Sequence, residues 1–153
     1  MWTNNQAMDN KFSFTAALPE EQPVFDLYLT TGWNNAYKIT PSEFMEALRN
    51  SWYCLSAYDD DRLVGFGRMI CDGILHALIL DLIVHPDFQG KGLGGEVLSR
   101  LVDQCREHSI RDIQLFSVKG KAGFYRKMGF RERPEGAPGM EVKLLQPRWD
   151  AGR

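Results

Sequence analysis

Between Val84 and Glu96 the chain reads His85-Pro86-Asp87-Phe88-Gln89-Gly90-Lys91-Gly92-Leu93-Gly94-Gly95, with glycine at four of the last six positions. Glycine lets the main chain come close to a ligand, and a helix that begins there presents unpaired N–H groups and a positive dipole end to an anion. A pyrophosphate is the natural guest. The phosphate loop of nucleoside triphosphatases is excluded: Gly90 and Gly95 have its spacing, but Glu96 and Val97 stand where it needs Lys and Ser or Thr. Gly90-Lys91-Gly92-Leu93-Gly94-Gly95 formally satisfies the dinucleotide pattern G-x-G-x-x-G. That pattern puts its first glycine in the turn directly after a strand, whereas residues 85–89 separate Val84 from Gly90 here. The acid nearest the expected later position, Asp112, falls at the start of the following strand and not after it.

Two further residues stand out by type and place. Asp81 is the one acid inside the apolar run HALILDLIV, residues 76–84, and a carboxylate in such a run needs a partner or a task. Tyr125 lies in FYRKMGF, residues 124–130. Around it, residues 117–131 hold Lys119, Lys121, Arg126, Lys127 and Arg131 with no acid, a local excess that suits phosphate groups or a solvated helix face. Cys54, Cys71 and Cys105 are odd in number and lack paired spacing, which argues for inert thiols in a reducing compartment and against a zinc site.

These residues need a scaffold, and the pattern of the chain supplies one. The near-continuous apolar run at 76–84 reads as a strand buried on both faces. Leu93, Val97, Leu98, Leu101, Val102 and Cys105 recur at helical spacing and predict a helix over 93–108. A strand at 112–118 then completes a strand–helix–strand unit, the signature of a parallel crossover pair. Upstream, residues 51–58 and 62–71 are β-rich around Asp59-Asp60-Asp61 and predict an antiparallel hairpin. FSFTAA, residues 12–17, reads as a first strand, and residues 19–29 and 40–50 as helices. Thr40, Pro41 and Glu43 together make the second helix start explicit, as a capping residue, a first-turn proline and the partner of a capping box. A short helix at 122–128, stopped by Gly129, and a final strand at 140–145 complete the chain.

Gln89-x-x-Gly92-x-Gly94, preceded by Val84-His85-Pro86, resembles the Q/R-x-x-G-x-G/A signature of the GNAT acyltransferase superfamily, and Phe124-Tyr125-x-x-x-Gly129-Phe130 is similar to a second element of that superfamily. More narrowly, LDLIVHPDFQGKGLG with Phe124-Tyr125 and Pro134-Glu135-Gly136 resembles small bacterial members and plant serotonin N-acetyltransferase-like proteins. The resemblance implies an α/β (α+β) fold over a single domain, residues 1–153. Its mixed, mostly antiparallel central sheet would carry a splayed parallel strand pair and helices on both faces. It implies acetyl transfer from acetyl-CoA to a primary amine, a small arylalkylamine or polyamine or a protein lysine, by direct attack in a ternary complex. The alternative is a non-catalytic acyl-CoA-binding or interaction module.

The resemblance also assigns roles. Leu82, Ile83 and Val84 with Gln89, Gly90, Lys91, Gly92, Leu93, Gly94 and Gly95 would hold the CoA thioester, joined by Lys119, Phe124 and Lys127. Tyr125 would protonate the departing thiolate. Asp81 has two readings, a base for the amine or a hydrogen-bonded acid that orders the site. Tyr28, Trp33 and Tyr37 lie where relatives build the acceptor wall, and aromatic residues there equally suit a core. One departure is clear: Ser117-Val118-Lys119-Gly120 stands where many relatives carry an asparagine.

Eighteen Lys and Arg against twenty Asp and Glu argue against a broad nucleic-acid surface. No metal is expected. No apolar run reaches the roughly 20 residues of a membrane-spanning helix, and MWTNNQAMDN lacks a basic-then-apolar signal pattern, so the expected place is the cytoplasm. Dimerisation through the final strands, frequent in the superfamily, is a further expectation.

Overall fold

The computed structural model describes residues 11–142. The reading of the N-terminal ten residues and most of the expected strand at 140–145 lie outside them; Met140 to Val142 are described and form no strand. Chain order is β1 (Phe12–Thr15), α1 (Glu21–Leu29), α2 (Asn34–Tyr37), α3 (Pro41–Arg49), β2 (Tyr53–Asp59), β3 (Arg62–Cys71), β4 (His76–Val84), a 3-10 turn (Pro86–Phe88), α4 (Leu93–Glu107), β5 (Asp112–Leu115) and α5 (Ala122–Lys127). The strands form one sheet in the order β1-β2-β3-β4-β5, antiparallel throughout except for the parallel pair β4–β5. The mixed α/β architecture expected from the sequence is the one observed.

Each face of the sheet buries a helical layer. On one face the apolar stripe of α4, with Val97, Leu98, Leu101 and Cys105 fully buried, packs on Val64, Met69, Ala77 and Ile79. Burying side chains of this size stabilises by about 1.5–3 kcal/mol each relative to leaving them in water. On the other face α1 and α3 bring Val24, Tyr28, Phe44 and Leu48 onto Cys54, Phe66 and Ile83. The start of α3 is set as its sequence requires. The Glu43 amide donates to Thr40 Oγ1 (3.3 Å) while the Thr40 amide donates to Glu43 Oε2 (2.7 Å), completing the capping box.

The ladder between β3 and β4 contains an irregularity that shapes everything downstream. Arg68 pairs with Leu80 and Phe66 with Ile83, so the single residue Gly67 faces both Asp81 and Leu82. This is a β-bulge, and Asp81 adopts a φ of 50°, the left-handed region that side chains avoid. Asp81 is the inserted residue. With it set aside, β4 keeps its alternation: Ala77, Ile79, Leu82 and Val84 belong to the α4 layer, Ile83 turns to the other, and Leu80 lines the cavity. Bulges bend a strand and increase its twist. Beyond Ile79, which pairs with Leu115, β4 accordingly has no partner in β5. The expected strand over 112–118 therefore stops at Leu115, because the strand it would pair with has turned away.

Candidate active site

The glycine loop is closed back onto the strand it leaves. Gln89 Nε2 donates to the Val84 carbonyl (3.0 Å), and the Asp87 amide donates to His85 Nδ1 (3.1 Å), which fixes the 3-10 turn that the sequence reading missed. Gly90 and Gly92 have φ of 74° and 81°, and Gly92 is the N-cap of α4 with no side chain capping the helix. A methyl group built on either would meet nothing within 4 Å, so the outer side of the loop is open. The first turn of a 15-residue helix thus offers uncapped main-chain N–H groups to that space. Phe124 of α5 and Met128, which caps its C-terminus, flank the loop's far end, against Gly94 and Gly95 respectively.

Where β4 and β5 part, a cavity of about 410 Å³ opens, a size typical of small-ligand sites. Both candidate chemical groups, Asp81 and Tyr125, line it. So do all three aromatic residues expected at the acceptor wall, Tyr28, Trp33 and Tyr37, together with Leu82 of the unpaired edge. Ile83 is different. It pairs with Phe66 and points into the α1–α3 layer, outside the cavity. Tyr28 stacks on Phe44, centroids 4.5 Å apart, and meets Trp33 edge-on at 6.3 Å, so the wall is part of the core and part of the cavity at once.

The floor carries an ion pair that sequence reasoning missed. Arg68 Nε donates to Asp81 Oδ2 at 2.5 Å, and Arg68 Nη1 donates to Ser51 Oγ at 3.3 Å. Both charged side chains are largely shielded, at 14% and 18% exposure, where losing a partner is costly. Asp81 Oδ1 accepts no hydrogen bond among the described residues. A signal existed: Arg68 interrupts the apolar strand RLVGFGRMIC as Asp81 interrupts HALILDLIV, and neighbouring buried strands rarely hold opposite charges unless these pair. Phe44, within the helix expected at 40–50, and Phe116, within the strand expected at 112–118, also line the cavity.

Electrostatics separate the tyrosines. Burial, then the Asp81 carboxylate, push the Tyr28 hydroxyl up to about 12, so it stays neutral beside the ion pair. Burial alone pushes Tyr125 above the ordinary phenol value, and its ring is fixed edge-on between Phe124 (5.0 Å) and Phe130 (6.2 Å). A neutral phenol in a shielded site is a proton donor by chemistry. Lys119 lies in the exposed turn before α5 and Lys127 on its exposed last turn, neither in the cavity, while Lys91 sits 5.2 Å from the Phe88 ring centroid. Arg126 is tied to Glu132 at 2.9 Å. Among the described residues no cluster of three or more His, Cys, Asp or Glu is arranged to hold a metal ion, and no helix is long and apolar enough to cross a membrane.

Comparison with known proteins converges on the same region. Residues 50–132 match the family model of the acetyltransferase (GNAT) domain. The uncharacterised N-acetyltransferase ycf52 of Pyropia yezoensis is 41% identical over 98 residues, 61% of this chain and 56% of that protein. Serotonin N-acetyltransferase 2, chloroplastic, of Oryza sativa subsp. japonica is 39% identical over 79 residues, 52% of this chain and 40% of that protein. The chain spans about half the length of such curated relatives. A GNAT family acetyltransferase of Streptococcus pneumoniae TIGR4 superposes with a TM-score of 0.67 at 24% identity, covering 89% of this chain and 98% of that one, and so shares the fold.

Proposed function

We propose, on the premise that the chain belongs to the GNAT acetyltransferase domain family, that it moves the acetyl group of acetyl-CoA onto the primary amine of a small arylalkylamine. One observation carries the reading: a single cavity joins Asp81, Tyr125 and an aromatic wall to the unpaired edge of β4, and that edge runs into the glycine loop. The diphosphate of the donor would sit on the N–H groups heading α4, with Gly90–Gly95 giving it close approach. Lys91, Lys119 and Lys127 would add charge, and Phe124 would hold the loop against α5. Leu82 and Val84 would offer main chain to the pantetheine arm. Gln89, whose side chain is engaged by Val84, acts by shaping the loop.

The chemistry is direct. An alkylamine is mostly protonated at neutral pH, with an ordinary value near 10.4, so a proton must leave before attack. Asp81 Oδ1 or a water beside it would take that proton. The free amine then attacks the thioester carbonyl, the tetrahedral oxyanion rests on a main-chain N–H of the opened strand, and the C–S bond breaks. Tyr125 gives its proton to the departing thiolate, and the surplus proton on the acylated nitrogen leaves through water to restore the phenol. Tyr28, Trp33 and Tyr37 fit an aromatic acceptor by stacking, and the Oryza relative is named for an acceptor of that class. The described residues act as one catalytic unit in this reading.

A free-thiol release assay with acetyl-CoA across arylalkylamines, polyamines and lysine peptides tests it. Arylalkylamines should give the highest kcat/KM, and Tyr125→Phe should lower kcat by about 10²-fold or more while acetyl-CoA still binds. Because Tyr125 is raised and acts protonated, the alkaline limb it causes should lie above the ordinary tyrosine value of about 10 and vanish in Tyr125→Phe. Acetyl-CoA binding without turnover of any amine above buffer hydrolysis would leave only a binding module.

A further inference from the structure

We infer that Arg68 is a positioning residue for the acceptor half of the reaction, acting through Asp81. The inference rests on the proposed function and adds to it a residue that the glycine loop, the tyrosine and the acceptor wall do not include.

Asp81 is an extra residue in its strand with a φ of 50°, a main-chain conformation that does not hold a side chain of this type in place by itself. Something must fix its carboxylate, and one group does so. Arg68 pairs in register with Leu80, directly before the bulge, which brings its guanidinium alongside Asp81. Its Nε donates to Oδ2, leaving Oδ1 as the oxygen that accepts from no described group. The same guanidinium donates through Nη1 to Ser51 Oγ, and Ser51 Oγ donates to the Ala47 carbonyl of α3 at 2.9 Å. Ala47, Arg68 and Asp81 all line the cavity. A continuous chain of hydrogen bonds therefore runs from the Ala47 carbonyl of α3, through Ser51 and arginine, to the carboxylate at the bulge. An arginine suits this place because its planar fork serves two acceptors in fixed directions, whereas a lysine reaches one of them as a point charge.

Arg68 lines the cavity itself, but in this inference it acts through Asp81, so its effect should depend on Asp81 being present. A double-mutant cycle reads this. Wild type, Arg68→Gln, Asp81→Asn and the double variant would be compared for kcat and KM toward the best amine, acetyl-CoA affinity by calorimetry, and Tm. Arg68→Gln should lower kcat/KM for the amine by roughly tenfold or more and leave acetyl-CoA affinity within about twofold. In the Asp81→Asn background the same substitution should change kcat/KM by less than about twofold. Arg68→Lys should fall between wild type and Arg68→Gln. The Tm losses of the single variants should exceed that of the double variant when summed, because removing both partners leaves no shielded charge alone.

Equal losses from Arg68→Gln in both backgrounds, or wild-type kcat/KM in a folded Arg68→Gln protein, overturn the inference while the proposed function stands. Absence of amine turnover in the wild type overturns the proposed function and takes this inference with it. Should Arg68→Gln fail to fold, Arg68→Lys serves the same cycle, with a loss in the wild-type background and none beside Asp81→Asn.

Discussion

Gly67 is the residue opposite the bulge, and replacing it with alanine tests how closely the opening of the sheet and the seat of α4 depend on each other. A Cβ at this position would lie 2.8 Å from Leu101 Cδ1 and 3.3 Å from Val97 Cγ1. The first distance is roughly 0.7 Å short of the ~3.5 Å at which two carbons rest in contact. Both Leu101 and Val97 are fully buried, so a shift of either side chain presses on the neighbours packed around it. The third contact, Leu82 Cδ1 at 3.5 Å, belongs to the splayed strand itself. Relief comes from a shift of the Leu101 side chain within its close-packed layer or a small retreat of α4, and overpacking of this kind costs about 1–3 kcal/mol. For a chain of 153 residues that lowers Tm by roughly 2–12 °C. A retreat of α4 would displace its head, and the glycine loop joined to it, relative to the edge of β4, so acetyl-CoA affinity should fall by severalfold. Thermal unfolding by circular dichroism and calorimetric titration with acetyl-CoA would be run beside Gly123→Ala. At Gly123 an added Cβ meets nothing within 4 Å, and the helix of α5 should gain stability. If Gly67→Ala melts with the wild type, the packing argument is wrong.

Two further expectations follow from the site. Tyr28, raised to about 12 in the fold, returns to about 10 when unfolded, so the unfolded chain sheds its proton first. The stability this group contributes is complete below about pH 10 and is lost as pH rises through 12, about 2–3 kcal/mol in all. Urea midpoints between about pH 9 and 12 should fall more steeply for wild type than for Tyr28→Phe, and equal slopes contradict the assignment. Gly92→Ala meets no atom within 4 Å but must hold a φ of 81°, so its cost, about 1–2 kcal/mol, is entirely backbone strain. Acetyl-CoA affinity should drop with it, and an unchanged Tm together with unchanged affinity refutes the loop's role.

Much of this molecule is legible in the chain because local rules act alone there. Thr40, Pro41 and Glu43 specify a helix start whatever surrounds them, and the six apolar positions between Leu93 and Cys105 define one face of α4. The loop was legible for a similar reason: left-handed φ at Gly90 and Gly92 is a demand of the backbone that only glycine meets without strain. What escaped depends on partners remote in sequence. HALILDLIV contains no mark that one of its residues is supernumerary, since the bulge is defined only by register against β3. The end of β5 is equally invisible, because Phe116 to Val118 remain β-prone and lack only a neighbour to pair with. Arg68 was overlooked because a charged residue in a strand ordinarily faces water. Helix α2 rests on Asn34, whose side chain donates to the Ile39 carbonyl (3.1 Å) and accepts from the Ile39 amide (2.9 Å), a clasp that no periodicity announces.

Since β4 alternates correctly once Asp81 is set aside, the interior of this protein and its entrance are encoded by different letters. A chain shortened by that single residue would keep Ala77, Ile79, Leu82 and Val84 under α4 and Ile83 under α1, with the ladder free to run on unbroken past Ile79. It would be a sound building with no door. A single inserted residue thus accounts for the opening beside β5, and deleting Asp81 is expected to close that cavity while leaving the packing of the sheet and its helices in place.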